Sequence, residues 1–359
     1  MATLGGAGGA GGASGTGGAG GAGGAGGAGG AAGTYNAPMT AAALIVNRDA
    51  IAGQFQADLP APFTQLPPID STDELDRWEP WVRAAIFDAE LNSELGYSVA
   101  RAGSGGSITL ARVGNPSRGP IVRLVRPPKR VFQAQLLLVD QYAALREDRA
   151  NEILAQLSPP LASWSAIVNL HPARKKKTLE LLDVALRFAT VVEMRIKHAL
   201  NCPRPVDYSP QIQPMILTPS HGSLPSGHST EAHIVAHILA ALLPAGANPL
   251  WQTQLAKLAE RIATNRVIAG VHFPVDSAAG RVLGVTLGEY LLARCQNSRF
   301  RARAFRGDQW PTTGTDQDFN PAQDLGTTSR GIQLLGSATR TAPRSAVLGW
   351  LWTRACAEW

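Results

Sequence analysis

Long uncharged apolar runs are missing from this 359-residue chain. A transmembrane helix needs about 20 consecutive, mostly apolar residues. The nearest approach, residues 232–256, is uncharged but contains His233, His237, Pro244, Asn248, Pro249 and two glutamines. A second stretch, residues 282–293, is short and carries Glu289. Both read as buried helices, so no transmembrane segment is expected. The opening "MATLGGAGGAGGASGTGGAG" has neither a basic n-region nor an apolar h-region. No secretory signal is therefore expected, and the cytoplasm is the default location. Cysteine is scarce. Cys202, Cys295 and Cys356 lie far apart without a CxxC pair, which argues against a zinc site or a dense disulfide framework. Charged residues make up only 17%, with a formal net charge of +6. That balance suits an anionic ligand or surface, but a solvated surface explains it equally well, and no nucleic-acid partner is expected.

What is present sorts into segments. Residues 1–33 are a Gly/Ala tract that offers little to bury and is expected to be disordered. Residues 34–70, with "LPAPFTQLPP", read as a Pro-containing linker packed on the domain. A helical catalytic domain is expected over 71–299, followed by a C-terminal extension over 300–359. Ser71 stands three residues before Glu74, a capping-box spacing that predicts a helix over 71–95, with Pro80 inside it. Near 97–126, "SITLARV" and "IVRLV" predict a small hairpin or irregular excursion. Helical periodicity then predicts helices over 131–157, 178–200, 229–243, 249–268 and 276–295. Lys175, Lys176 and Lys177 read as solvated loop, and the Trp-rich end "LGWLWTRACAEW" as a helix that docks. The pattern as a whole predicts an all-α fold, and its long amphipathic helices are compatible with a homodimer.

Three motifs carry chemistry. "KHALNCPRP" contains Lys197, Arg204 and Pro205; "PSGH" is Pro225 to His228; "RVIAGVHFPVD" contains Arg266, His272 and Asp276. Each alone is weak, since a basic residue at a helix end or an Asp before a helix is usually dipole compensation or a cap. Together they gather cations that would repel one another in a low-dielectric pocket unless an anion or water compensated them. Arginine offers forked donors to oxyanions. Ser226 and Gly227 add a hydroxyl and unobstructed backbone N–H groups at a helix start. A tetrahedral oxyanion, phosphate or vanadate, is the expected ligand. Asp276 would hold one nitrogen of His272 and free the other as nucleophile or ligand, with His228 opposite as general acid/base.

These motifs, in this order, resemble the type 2 phosphatidic acid phosphatase and vanadium-dependent haloperoxidase superfamily, with its pattern K-x6-RP, PSGH and SR-x5-H-x3-D. Asn265 stands where the family usually has serine. The resemblance implies an enzyme with the helical bundle of that family. It implies that Lys197, Arg204, Arg266, Ser226 and Gly227 hold the oxyanion, and that His228, His272 and Asp276 are catalytic. His272 would be the phosphoenzyme nucleophile of a phosphatase, which needs no cofactor, or the vanadium ligand of a haloperoxidase, whose cofactor is vanadate. "PMILTPSHGSLPSGHSTEA" is similar to the approach to PSGH in bacterial haloperoxidases and favours halide oxidation by hydrogen peroxide. A soluble acid phosphatase acting on phosphate monoesters is the alternative. His221 is a candidate for the pocket rim, Glu231 reads as a first-turn dipole complement, and His233 with His237 has the spacing of a metal pair without a third ligand.

Overall fold

The computed structural model describes residues 38–51, 54, 66–103, 105–113, 119–336 and 339–359. The expected disordered tract over 1–33 lies outside them. The chain divides at Ile86, with residues 11–85 in a smaller unit and residues 86–359 in a larger one that holds every predicted site residue.

In the smaller unit a helix, α1 (Pro38–Ile51), occupies part of the segment expected as a linker. The capped helix expected from Ser71 does not form. The Ser71 hydroxyl accepts from the Asp73 N–H, and Glu74 pairs with Arg77 instead of closing a capping box. The helix starts instead at Pro80, as α2 (Pro80–Asn92), because proline's fixed φ and missing N–H suit a first helical position.

The all-α expectation is overturned in the larger unit. Strands β1 (Leu95–Ala102), β2 (Gly105–Arg112) and β3 (Pro120–Val125) form an antiparallel meander. Two C-terminal strands, β5 (Arg303–Arg306) and β6 (Ile332–Leu334), extend it into a five-stranded sheet of order β1-β2-β3-β5-β6. The β3–β5 pair is parallel and joins segments far apart in sequence, with Val122 opposite Arg303 and Leu124 opposite Phe305. A second, two-stranded sheet pairs β4 (Arg299–Phe300) with β7 (Arg340–Thr341). The meander is the predicted hairpin enlarged. The strand that completes the sheet, "RAFR", is too short for any periodicity to register. Its buried Arg303 is tolerated because Nη2 pairs with Glu289 at 2.7 Å and Nε donates to the Leu325 carbonyl.

The helices are α3 (Lys129–Tyr142), α4 (Arg146–Ala155), α5 (Leu161–Val168), α6 (Lys176–Leu200), α7 (Pro205–Tyr208), α8 (Gly227–Leu242), α9 (Pro249–Ile268), α10 (Pro274–Gln296) and α11 (Ala346–Cys356). The single helix expected over 131–157 is broken between α3 and α4. There Arg146 turns its guanidinium onto the carbonyls of Ile212, Gln213 and Ile268. Among the described residues, no helix is long and apolar enough to cross a membrane.

Helix α10 is buried nearly all round, as expected of a central helix, and packs most closely on α8. Gly280, Gly284 and Gly288 form the contact stripe. A Cβ on Gly280 would stand 2.6 Å from the Ser226 carbonyl oxygen, and one on Gly284 would strike the Thr230 carbonyl. This approach lets the Ser226 N–H donate to the Asp276 carbonyl at 2.9 Å, tying together the two helix starts that carry the predicted chemistry. Gly284→Ala is expected to lower stability by about 1–3 kcal/mol, through overpacking that backbone cannot relieve. Urea denaturation measures it, and an unchanged midpoint would contradict the close packing.

The C-terminal segment docks as the sequence suggests. Leu348, Leu351 and Ala355 of α11 are buried, and α11 packs on α6. Beyond it the Glu358 carboxylate accepts from the Lys177 and Thr178 N–H groups at 2.8 Å each, capping α6. Lys175, expected in solvated loop, instead lies over the Trp359 ring at 3.7 Å. Glu358→Ala removes an anion from a helix N-terminus. It is expected to cost about 1–2 kcal/mol, read by thermal or urea unfolding.

Candidate active site

Five helix ends meet around a cavity of about 180 Å³ lined by Lys197, Arg204, Gly227, His228, Arg266 and His272, among others. Lys197 lies in the last turn of α6, and Arg204 is the residue before α7. Gly227 and His228 open α8, Arg266 ends α9, and His272 sits in the turn before α10. That turn depends on Gly270, whose φ of 79° is in the left-handed region. A Cβ there would also meet Arg146 and Pro214.

Asp276 holds His272 as predicted. Its Oδ2 lies 3.2 Å from His272 Nδ1 and also accepts from the Phe273 N–H at 2.8 Å and the Ser223 hydroxyl at 2.5 Å. A proton on Nδ1 that donates to Asp276 leaves the lone pair on Nε2, where it accepts from Arg204. His272 lines the cavity, with that Nε2 3.0 Å from Arg204 Nη1. Burial, reinforced by Arg204 and Lys197, holds the imidazole well below its ordinary pKa, so the ring is neutral. His228 is also neutral, pushed down to about 3 by burial and then by Arg266. Its Nε2 donates to the Gln156 carbonyl at 2.8 Å, which leaves Nδ1 as the basic nitrogen.

The cations are buried: Lys197 and Arg266 are each 1% exposed and Arg204 is 3% exposed. Burial lowers both arginines to about 10, which leaves them charged at neutral pH. Lys197 is lowered to about 8, again by burial first, and its Nζ points at the carbonyls of Gly222, Ser223 and Pro225. Arg204 spends four of its five N–H groups on the carbonyls of His221 and Val271 and on the two histidine rings, which leaves one on Nη2. Arg266 differs. Nη2 donates to the Ile153 carbonyl and to Gln156 Oε1, but Nε and Nη1 are buried without a partner. A buried guanidinium with two idle nitrogens is costly and calls for an acceptor from outside the chain. The cavity it lines is where such an acceptor would sit.

Two predicted residues stand behind the cavity instead of lining it. Ser226 is fully buried and caps α8, its hydroxyl accepting from the Ser229 N–H at 3.4 Å. Asp276 acts through His272.

Other contributors were not legible as such. Gln156 bridges Arg266 and Asn265 through one side-chain oxygen and accepts the His228 Nε2–H on its backbone carbonyl. Asn265, in the family's serine position, is thereby a support for Arg266. Ser223 donates to Asp276, and Glu193 lines the cavity beside Gly227. Both look ordinary in sequence, a loop serine and a helix charge. His221 does line the pocket, its Nδ1 3.1 Å from Arg204 Nη2. His233 turns its Nδ1 to the Ser229 carbonyl, and His237 packs at Gly288. Among the described residues, no group of three His, Cys, Asp or Glu side chains is placed to hold a metal ion. Glu231, read as a first-turn dipole complement, is buried. A larger cleft of about 1000 Å³, lined by Arg123, Lys129 and Arg130 among others, shares none of the predicted site residues.

No curated protein matches the chain. Residues 181–300, which hold all the predicted site residues, most of α6 and the whole of α8, α9 and α10, match the family described as the PAP2 superfamily. Over that part of its length the chain is similar to a superfamily whose members are generally phosphatases or haloperoxidases.

Proposed function

We propose that this chain is a vanadium-dependent haloperoxidase-like enzyme that binds vanadate as a tetrahedral oxyanion and oxidises halide with hydrogen peroxide. The observation that carries the oxyanion reading is Arg266, which lines the cavity together with His272 and whose Nε and Nη1 are buried without a partner. The donor set fits vanadate. Lys197, Arg204 and Arg266 would hold its oxygens with the Gly227 N–H, and His272 Nε2 would ligate vanadium. Bound there, vanadate supplies the Lewis acidity that activates peroxide.

The chain's own residues do the rest. The cations neutralise the anion's charge in a site from which water is largely excluded, where each contact is stronger than in solvent. Asp276 fixes the His272 tautomer and orientation. His228 has a free, basic Nδ1, so it can take a proton from an incoming reactant and return it later. The cavity is also lined by Leu157, Met194, Ile216, Leu217 and Pro219. A cavity of about 180 Å³ with this partly apolar wall suits small co-substrates such as peroxide and halide.

The second reading is hydrolysis of a phosphate monoester through phosphohistidine. It is supported by the same His272–Asp276 pair, since a neutral imidazole oriented by a carboxylate is an activated nucleophile. One paired assay on a single purified sample separates the two: dye bromination with vanadate, bromide and peroxide, and aryl phosphate hydrolysis without vanadate. Bromination that requires vanadate supports the first reading. Hydrolysis inhibited by vanadate supports the second, and silence in both sinks each.

A further inference from the structure

Glu193 stands one helical turn before Lys197 on α6, is 1% exposed, and lines the cavity. Its Oε2 is buried without a hydrogen-bond partner. Its Oε1 lies 2.7 Å from where a Cβ on Gly227 would be, so the carboxyl is pressed against the N-terminal residue of α8. An acidic side chain on the wall of an anion pocket is repulsive if ionised and a donor if protonated. We propose that Glu193 takes up a proton when the oxyanion binds and donates that O–H to it. This rests on the oxyanion reading of the pocket.

The charge balance argues for it. The buried ionisable groups at the site other than the histidines are Lys197, Arg204 and Arg266 against Glu193, Glu231 and Asp276. Fully ionised, three positive and three negative charges cancel, and a dianion would leave the buried site strongly negative. With protons on both glutamates the protein carries a double positive charge, which a dianion neutralises. Burial pushes Glu193 up to about 7, against the pull of Lys197 and Arg204. It pushes Glu231 on α8 up to about 8, with Glu193 adding to the shift. Glu152 and Asp207 act on Arg266 and Arg204 only from partly or fully exposed positions. The histidines at the cavity, His221, His228 and His272, are neutral in the anion-free protein. Entry of an anion raises every carboxyl pKa near it, so binding and proton uptake reinforce each other.

Tungstate tests this, because it remains a dianion across the range. Calorimetric affinity is measured from about pH 6 to about pH 9 on the full chain and on Glu193→Gln and Glu231→Gln. For the unmodified protein, affinity is expected to fall as pH rises above about 7, by about tenfold per pH unit for each proton taken up. Glu193→Gln keeps a permanent N–H donor. Its slope should be shallower by about one proton, and it should bind more tightly than the parent at the alkaline end. A parallel slope in Glu193→Gln overturns the proposal while leaving the oxyanion pocket intact. Failure of tungstate to bind the parent at any pH overturns the pocket reading, and this proposal with it.

Infrared difference spectra of the unmodified protein at about pH 8 give a second measurement that needs no variant. A carboxylic-acid C=O band that rises on tungstate addition and shifts in D₂O is expected. Its absence, or its loss in Glu231→Gln with persistence in Glu193→Gln, overturns the assignment.

Discussion

His272→Ala is expected to abolish turnover, by a factor on the order of 10⁴ to 10⁶ in kcat, whichever oxyanion the site processes. The argument runs from local geometry. Asp276 Oδ2 collects the His272 ring, the Phe273 N–H and the Ser223 hydroxyl, so it is held rigidly at the start of α10. The ring it orients therefore presents Nε2 to the cavity at little cost in lost freedom when the reaction begins. In the phosphatase reading this nitrogen is the nucleophile; in the haloperoxidase reading it ligates vanadium. Alanine removes it in both. Asp276→Asn should cost less, because the amide can accept from Nδ1 and leave Nε2 as the lone-pair nitrogen, but it cannot stabilise an imidazolium. Steady-state kinetics of the two variants, with circular dichroism to verify folding, measure this. Turnover of His272→Ala within about tenfold of the parent would falsify the assignment of His272.

Arg266→Met is expected to separate affinity from stability. Two charge-assisted hydrogen bonds to the oxyanion would be lost, worth about 2–4 kcal/mol together, so tungstate or vanadate affinity should drop by about 30- to 10³-fold. The anion-free protein should meanwhile be about as stable as the parent, within about 1 kcal/mol. Arg266 is a buried cation with two unpartnered nitrogens, and removing that burden offsets the lost bonds to Ile153 and Gln156. Added anion should then raise the melting temperature of the parent but hardly that of the variant. A large loss of anion-free stability with affinity preserved would make Arg266 a structural residue instead.

The site's chemistry was legible because it lies on helix ends, where short spacings hold. Lys197 and Arg204 bracket the end of α6, Gly227 and His228 open α8, and Arg266, His272 and Asp276 span one turn between α9 and α10. Over such distances backbone geometry leaves side chains little choice of neighbour. Gln156 was not legible, because α4 meets Arg266 only once the chain has folded back across more than a hundred residues. Glu193 was hidden for a different reason. On an amphipathic helix a charge is assumed to face water, and only the packing of α8 against α6 buries it.

Sequence alone therefore determined most of the long helices and the cationic cluster, because periodicity and residue type are local properties. It misplaced the fold class. The Ser71 cap failed because Pro80 offered a better first turn. The five-stranded sheet escaped notice because β5 and β6 have no pattern of their own and exist only through pairing with β3 and with each other. Tertiary structure alone decided which atoms were left without partners. Those atoms, Nε and Nη1 of Arg266 and Oε2 of Glu193, are the ones that turn a list of conspicuous residues into a pocket with a stated charge. Whether a buried polar atom is satisfied depends on every neighbour at once, and no local stretch of sequence contains that information.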